Sequence, residues 1–567
     1  MKGSEAIVKS LQAEGVKHMF GILGGQIMEV YDVLYSVDPK DLKHFLMRHE
    51  QCAAHAAEGY ARASGRVGVC IATSGPGATN LVTGIADAYM DSVPIVALTG
   101  NVPTHLIGND AFQEADIVGI TMPITKHNFQ ITDPEDIPNT FRAAFKIATT
   151  RRPGPVLIDL PRDIQQKELK KFNYPKDVEL PGYKVVESEG HPVQITKAAK
   201  MLMDAERPVI IAGGGVVISE AGTELLKLAE SLGIPIATTL MGKGCIPEEH
   251  PLSLGMLGMH GRKVANLIVT ESDVLFAIGC RFSDRITGDV KYFAPNAKII
   301  HADIDSAEIG KNVKVEVPIV GDARLILKNL NKTIGKIKAK CNTEWHKKLE
   351  HYKKEYGIQW ESWEEEKPIK QQKVMKELNR IISDDVIITT EVGQCQMFSA
   401  HYLHIKNPRH FISSGGLGTM GFGFPAAIGA KVAMPDHTVI DVGSEGSFLM
   451  TSQDLATCVV ENIPVIALIM QNKYLGMVKQ WQDLFYGKRR SHTYLGEVPD
   501  FVKYAESFTA KGIRVERPGE IADALKQAIK SGKPYVIDIV VDPDEHVLPM
   551  VKPGGRIDTM IEKHHLS

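Results

Sequence analysis

Nine short runs rich in Val, Ile and Ala recur along the sequence with helical patterns between them: RVGVCIAT, VPIVALTG, GPVLIDL, RPVIIAGGG, DVLFAIGC, AKIIHADID, DVIITT, HTVIDVG and IPVIALIM. Buried strands that alternate with helices imply parallel α/β sheets. Two polar stretches break the rhythm. One runs from Gln165 to about Pro192; the other, from Lys336 to Pro368, is rich in Lys and Glu with scattered Trp and reads as a helical connector. At 567 residues the chain is longer than one core usually supports. Three doubly wound parallel-sheet domains are expected, at 1–165, 190–335 and 369–550.

The first and last of these domains repeat one another weakly. TSGPGATN…DSVPIVALTGN and GSEGSFLM…ENIPVIALIMQN superpose at a constant offset of 370 residues, so that Gly75 falls on Glu445, Pro94 on Pro464, Ala97 on Ala467 and Leu98 on Leu468. Each copy reads as strand, glycine-containing turn, helix, strand. Both turns then stand at strand C-terminal ends, where the ligand sites of α/β folds form. Either two ordinary βαβ units coincide, or the outer domains are duplicated folds of which one has kept a metal and phosphate site.

Bulk composition excludes several classes of partner. The 65 Lys+Arg against 68 Asp+Glu leave a net charge of -3, with no basic surplus for nucleic acid or an anionic membrane surface. MKGSEAIVKSLQAEGVKHMF reads as an amphipathic helix, unlike a secretory signal, because Lys2, Glu5, Lys9 and Glu14 interrupt every apolar run. Nothing reaches the roughly 18 apolar residues of a membrane span. The seven cysteines, at 52, 70, 245, 280, 341, 395 and 458, are scattered and form no CxxC pair. Reduced thiols and a cytoplasmic location are expected.

Three places carry chemistry on their own residues. Glu445 ends one strand and Asn472 ends the next, 27 residues and one βαβ turn later. Two oxygens at adjacent strand ends suit a hard cation, and the backbone N–H groups of Gly446 and Ser447 at a helix start suit a phosphate. A capping turn fits the same residues. Glu50, in LMRHEQCAAHAAEGYARASG, stands at a strand-to-helix junction ahead of Ala-rich turns that would pack tightly. Read alone, it is either a catalytic carboxyl or an acid stabilised by the helix dipole. In the middle third, GGG at 213–215 follows a strand, with LGMHG, GCRFSDRITG and HADID beyond it. A Gly-rich strand-to-helix turn is a generic dinucleotide signal.

The wider text resembles the acetohydroxyacid (acetolactate) synthase catalytic subunits, within the superfamily of thiamine-diphosphate enzymes. The resemblance runs from about residue 3 to about 555. It is carried by FGILGGQIMEVYD, SGPGATN, GNDAFQEADIVGI, TTRRPGPVLIDLPRD, EVGQCQM, SSGGLGTMGFGFPAAIGA and QNKYLGMVKQWQDLFY. The superfamily's GDG…NN signature here reads SEG…QN, with Glu445 for its metal-binding Asp and Asn472 in the place of its metal-binding Asn. Branched-chain 2-oxo acid dehydrogenases resemble this Glu variant.

By that resemblance Glu445, Asn472 and the Tyr474 carbonyl hold Mg2+, while Gln394, Gly418, Gly446 and Ser447 contact thiamine diphosphate. Met420 props the cofactor into a bent form. Glu50 hydrogen-bonds the aminopyrimidine so that C2 can lose its proton, with Gln113 close by. Gly25, Phe112, Arg162, Met477 and Trp481 line the substrate pocket. Arg152, Gly213, Gly214, Gly215, Met259, His260, Arg281, Arg285, Asp303 and Asp322 hold a structural, non-redox FAD. The three domains then become pyrimidine-binding, central FAD-binding and diphosphate-binding. The implied reaction joins pyruvate to a second pyruvate or to 2-oxobutyrate with loss of CO2. Because Glu50 and the diphosphate anchor lie in different domains, the cofactor must bridge a domain or subunit interface; relatives place it between two chains, so the resemblance implies a homodimer or homotetramer, and relatives recruit a small regulatory subunit. Pyruvate oxidases and thiamine-dependent decarboxylases or lyases share fold and cofactors, although GMVKQWQ argues for the synthase. A non-catalytic paralogue with a weakened metal site is the remaining alternative.

Overall fold

All nine apolar runs form strands in the computed structural model, which describes residues 1–183, 188–335, 343–358, 360 and 367–563. They belong to three six-stranded parallel sheets. The first contains β1 (His18–Gly21), β2 (Lys43–Leu46), β3 (Gly68–Ala72), β4 (Ile95–Asn101), β5 (His127–Gln130) and β6 (Val156–Pro161), in the order β2-β1-β3-β4-β6-β5. The second contains β7 (Pro208–Ala212), β8 (Ile236–Thr238), β9 (Ser253–Met256), β10 (Val274–Ile278), β11 (Lys298–Asp303) and β12 (Val317–Val320), in the order β12-β11-β10-β7-β8-β9. The third contains β13 (Val386–Thr390), β14 (Phe411–Ser413), β15 (Thr438–Gly443), β16 (Val465–Gln471), β17 (Lys511–Val515) and β18 (Tyr535–Val540), in the order β14-β13-β15-β16-β18-β17. Strands β3, β4, β6, β7, β10 and β16 are buried at every residue, as helix-covered parallel strands must be.

The first and third sheets share one strand order, and β4 and β16 begin and end 370 residues apart, as the weak repeat predicts. The duplication extends to the helices that join the two halves. The Glu50–Ser64 and Gly423–Ala433 helices cross in opposite senses at their small residues. A methyl on Gly59 would lie 2.0 Å from the Ala426 carbonyl oxygen, and one on Gly429 would lie 1.8 Å from that of Ala56. These pairs are related by the same 370-residue offset, so the contact is self-complementary about an internal two-fold. Backbone this close tolerates no side chain. Gly429→Ala should lower stability by about 2–3 kcal/mol despite alanine's better helix propensity, whereas Gly519→Ala, with nothing within 4 Å, should leave the melting temperature unchanged. Thermal unfolding of the two variants checks this.

The polar segment after Gln165 is not a free linker. Phe172, Tyr174, Leu180 and Tyr183 pack on the core of the first domain. In the second polar stretch the expected helix spans Thr343–Tyr356, with Trp345 and Leu349 buried against the middle domain. Cys341 and most of the rest of that stretch lie outside the described residues. No described helix is long and apolar enough to cross a membrane.

Candidate active site

Strands β15 and β16 are hydrogen-bonded neighbours, so the turns that leave them lie side by side. Glu445 opens the Glu445–Phe448 helix after β15 and is buried. Its Oε1 accepts the Lys473 N–H, while Oε2 is buried with no partner. Burial pushes this carboxyl up to about 7. A buried carboxylate oxygen without a donor is costly, and a bound cation removes that cost. Asn472 lies opposite: its Oδ1 accepts the Tyr474 N–H at 3.0 Å, and its Nδ2 donates to Gln394 Oε1 at 3.2 Å. Gln394 in turn donates to Gln480 Oε1 at 2.9 Å and to the Glu545 carbonyl at 3.0 Å. Gly446 is roofed by hydrophobic side chains, since a methyl there would meet Leu475 at 2.7 Å and Met420 at 3.6 Å. The Ser447 hydroxyl is turned inward onto Glu391. Ser447 therefore offers a phosphate its backbone N–H and not its hydroxyl.

Glu50 lies in the other half of the chain. It is the first residue of its helix, and His49 accepts the Gln51 N–H through Nδ1 as the cap. Asn80 Nδ2 donates to Glu50 Oε2 at 2.9 Å, and a methyl on Gly77 would stand 3.3 Å from Oε1. The carboxyl is thus buried against the turn after β3. Gln113, held at φ 60°, reaches the same turn, because a methyl on Gly75 would lie 2.8 Å from its carbonyl oxygen. Phe112 beside it is 84% exposed. Gly24 packs against Thr73, where a methyl would lie at 2.5 Å, and Gly25 has open space around it. Arg162 lies 3.8 Å from Glu29 at the end of β6.

In the middle sheet the strand order reverses between β10 and β7, where α/β sheets open their crevice. Gly213 and Gly215 fit there because a methyl on either would lie 2.0 Å or 2.7 Å from Gly279; Gly214 faces Met241. Asp303 is buried at the end of β11, with its carboxyl raised to about 6 by burial. Met259 and His260 follow β9, and burial lowers the His260 imidazole to about 3. His260 Nδ1 and Thr238 Oγ1 are buried without partners at this rim, a polar lining that a hydrogen-bonding nucleotide or flavin would satisfy. Arg285 donates to Met259 Sδ at 3.4 Å and stands 5.9 Å from the Trp481 ring. Met259 and Trp481 share one hydrophobic cluster, so the expected flavin and acceptor-pocket residues meet.

Comparisons with known proteins agree along the whole chain. Three families match: "Thiamine pyrophosphate enzyme, N-terminal TPP binding domain" over residues 1–120, the corresponding central domain over 195–330 and the C-terminal TPP binding domain over 391–539. A probable acetolactate synthase large subunit of Methanocaldococcus jannaschii is 59% identical, covering 99% of this chain and 95% of the relative. The acetolactate synthase large subunit of Corynebacterium glutamicum is 50% identical, covering 98% and 89%. An acetolactate synthase of Mycobacterium bovis is 47% identical, covering 98% and 91%.

The chain belongs to the acetolactate synthase large-subunit family.

For a member of the acetolactate synthase large subunits, the expected residues fall into three groups. Glu445, Asn472, Gln394, Gly446 and Met420 surround one centre; Glu50 and Gln113 share a second; Met259, Arg285 and Trp481 meet at a third. No hydrogen bond joins the Glu50 turn to the Glu445 centre among the described residues. Gly418 takes φ 74° and leaves open space around it, and Met477 packs on the third-domain core. Several flavin-directed side chains are engaged by protein. Arg152 pairs with Glu308 at 2.9 Å and Asp305 at 3.5 Å, and Asp322 caps the following helix through the Leu325 N–H at 3.1 Å. Arg281 contributes its carbonyl to Asn312 at 3.1 Å.

Among the buried acids that escaped the sequence reading is Glu391. Glu391 accepts the N–H groups of Gly421 at 3.0 Å and Phe424 at 2.9 Å as well as the Ser447 hydroxyl, tying the loop after β13, the Met420 loop and the Glu445 helix together. Its only signal was an acid directly after the apolar run DVIITT.

Proposed function

We propose that this protein is the catalytic subunit of an acetolactate synthase, joining two pyruvates, or pyruvate and 2-oxobutyrate, with loss of CO2. The products are 2-acetolactate and 2-aceto-2-hydroxybutyrate, the first common step of branched-chain amino acid biosynthesis. The observation that carries the reading is the partnerless Glu445 Oε2 facing Asn472 at the ends of two adjacent strands. That donor set is all oxygen, which suits Mg2+ carrying diphosphate oxygens in its remaining positions. We take the thiamine-enzyme units as 1–165, 190–335 and 369–550, with Glu445, Asn472 and the Tyr474 carbonyl as metal ligands. The Gly446 and Ser447 N–H groups face the diphosphate.

Thiamine diphosphate, when bound, supplies the electron sink that decarboxylation of a 2-oxo acid needs. The chain's own residues orient it and move protons. Glu50, held by Asn80, would hydrogen-bond the aminopyrimidine; Met420 and Leu475, over Gly446, would support the cofactor; Phe112, Gln113, Arg162, Met477 and Trp481 would enclose the 2-oxo acids and exclude water. The buried polar rim at Thr238 and His260 supports an FAD in the middle crevice. Met259 shares a hydrophobic cluster with Trp481, and Arg285 stands 5.9 Å from its ring, so these residues would join a flavin held there to the acceptor wall in a structural role.

The arrangement supports a shared site. The two helices that link the halves pass in opposite senses, so the Glu50 end of one leads away from the Met420 end of the other. A second copy brings its Glu50 to this chain's Glu445 centre, which makes a homodimer the smallest active unit. The relatives called large subunits support a small regulatory partner, and the buried free thiols support a reducing, cytoplasmic setting. Incubating the protein with Mg2+, thiamine diphosphate, FAD and pyruvate tests the reaction. Acetolactate without stoichiometric peroxide is the expected outcome; peroxide as the main product identifies an oxidase instead.

A further inference from the structure

The Val82–Asp91 helix of the first domain sends two carboxylates, one turn apart, into the third domain. Asp91 accepts the backbone N–H of Gly415 at 2.9 Å and of Gly416 at 2.7 Å, and Arg62 pairs with it at 3.3 Å. Asp87 accepts the hydroxyls of Ser414 at 2.5 Å and Thr419 at 3.2 Å. The Ser414 hydroxyl in turn accepts the N–H groups of Gly418 at 3.0 Å and Thr419 at 2.9 Å. The loop 414–419 is therefore held at both ends by acids of another domain, and the next residue is Met420.

Within its own domain the loop gains an anchor from Gln396, whose Nε2 donates to the Ser414 carbonyl at 2.8 Å. The loop contains three glycines, one of them at φ 74°, and glycine backbone is the most costly to order. Hydrogen bonds from backbone and hydroxyl donors to buried carboxylates are the strong kind. Asp87 and Asp91 are buried, so neither has water as an alternative partner. Behind them His55 and Glu58 extend the polar cluster: His55 Nδ1 lies 2.9 Å from Glu58 Oε1, and His55, Glu58 and Asp87 each bring one atom within 4.8 Å of the others. Asp87 Oδ2 and Glu58 Oε2 have no hydrogen-bond partner, and burial raises both carboxyls.

We propose that Asp87 and Asp91 are positioning residues, through which the first domain of each chain sets the loop 414–419, and with it Met420, over that same chain's Glu445 centre. The inference rests on thiamine diphosphate binding at that centre. It gives the first domain two separate duties: its Glu50 end serves the partner's site, and its Asp87 and Asp91 end serves its own.

The test uses the full-length protein with Mg2+ and thiamine diphosphate, comparing Ser414→Ala and Asp91→Asn with the parent. The diphosphate anchors Glu445 and Asn472 are untouched, so the dissociation constant for thiamine diphosphate should stay within about threefold. Turnover should fall by about tenfold or more, with KM for pyruvate within about twofold, because a displaced cofactor ring loses alignment before it loses affinity. The near-ultraviolet circular dichroism of the bound cofactor, which reports how its two rings are set, should change in both variants. Unchanged turnover and an unchanged cofactor spectrum would overturn the proposal. Ser414→Ala alone decides it if Asp91→Asn does not fold, since that variant removes one hydroxyl and leaves every carboxylate in place. A parent protein that binds no thiamine diphosphate defeats the functional reading itself, a result distinct from either of these.

Discussion

Glu50→Gln forms acetolactate at least about 100-fold more slowly than the parent while keeping its melting temperature within about 2 °C. The amide has the shape of the acid and still accepts the Asn80 N–H, so the turn after β3 is undisturbed. The amide N–H can donate a hydrogen bond to a pyrimidine nitrogen but cannot transfer a proton to it. The same variant separates a shared site from a site within one chain. If Glu50 serves the partner's cofactor, dissociating and remixing Glu50→Gln with Glu445→Gln creates mixed dimers in which one of the two sites is intact. Random pairing then returns about one quarter of parental activity from two inactive proteins. No recovery after verified chain exchange would confine each site to a single polypeptide.

Glu445→Gln is the second large effect. It exchanges a charged oxygen ligand for a neutral amide at a hard-cation site, and thiamine diphosphate affinity in Mg2+ should fall by at least about 100-fold, or about 2.7 kcal/mol. The buried Oε2 has no protein partner to lose, so the metal-free variant should be no less stable than the metal-free parent. Ligand stabilisation tells the two apart. Mg2+ and thiamine diphosphate together should raise the melting temperature of the parent and leave that of Glu445→Gln where it was. An equal rise in both would remove Glu445 from the metal site.

Local patterning carried the architecture further than the site. Runs such as IPVIALIM are apolar at every position because both faces of β16 are covered, and each of the nine was readable without any partner. Strand β18 lies just as deep and its VIDIV carries an acid much as HTVIDVG does, yet it was passed over; β5 and β17 are edge strands with exposed residues and gave weaker patterns. The 370-residue repeat was visible because a βαβ unit keeps its turn and strand starts in register. Glu391, Asp87 and Asp91 were not, because each looks locally like an ordinary helix or strand-end acid. Their partners are other loops: Asp91 meets Gly415 across 324 positions and Asp87 meets Ser414 across 327. Such pairings are set by how domains dock, and no short window of sequence contains both members. The same limit hid the pairing of Arg152 with Glu308 of the next domain.

The bare crossing at Gly59 and Gly429 constrains how this enzyme's halves can be recombined. A chimaera that takes its opening segment from one relative and its closing segment from another inherits a working seam only if both donors keep side chains off those two turns. Laboratory shuffling should therefore tolerate exchange of the middle sheet more readily than exchange of either outer one, since the outer two are fitted to each other within a single polypeptide.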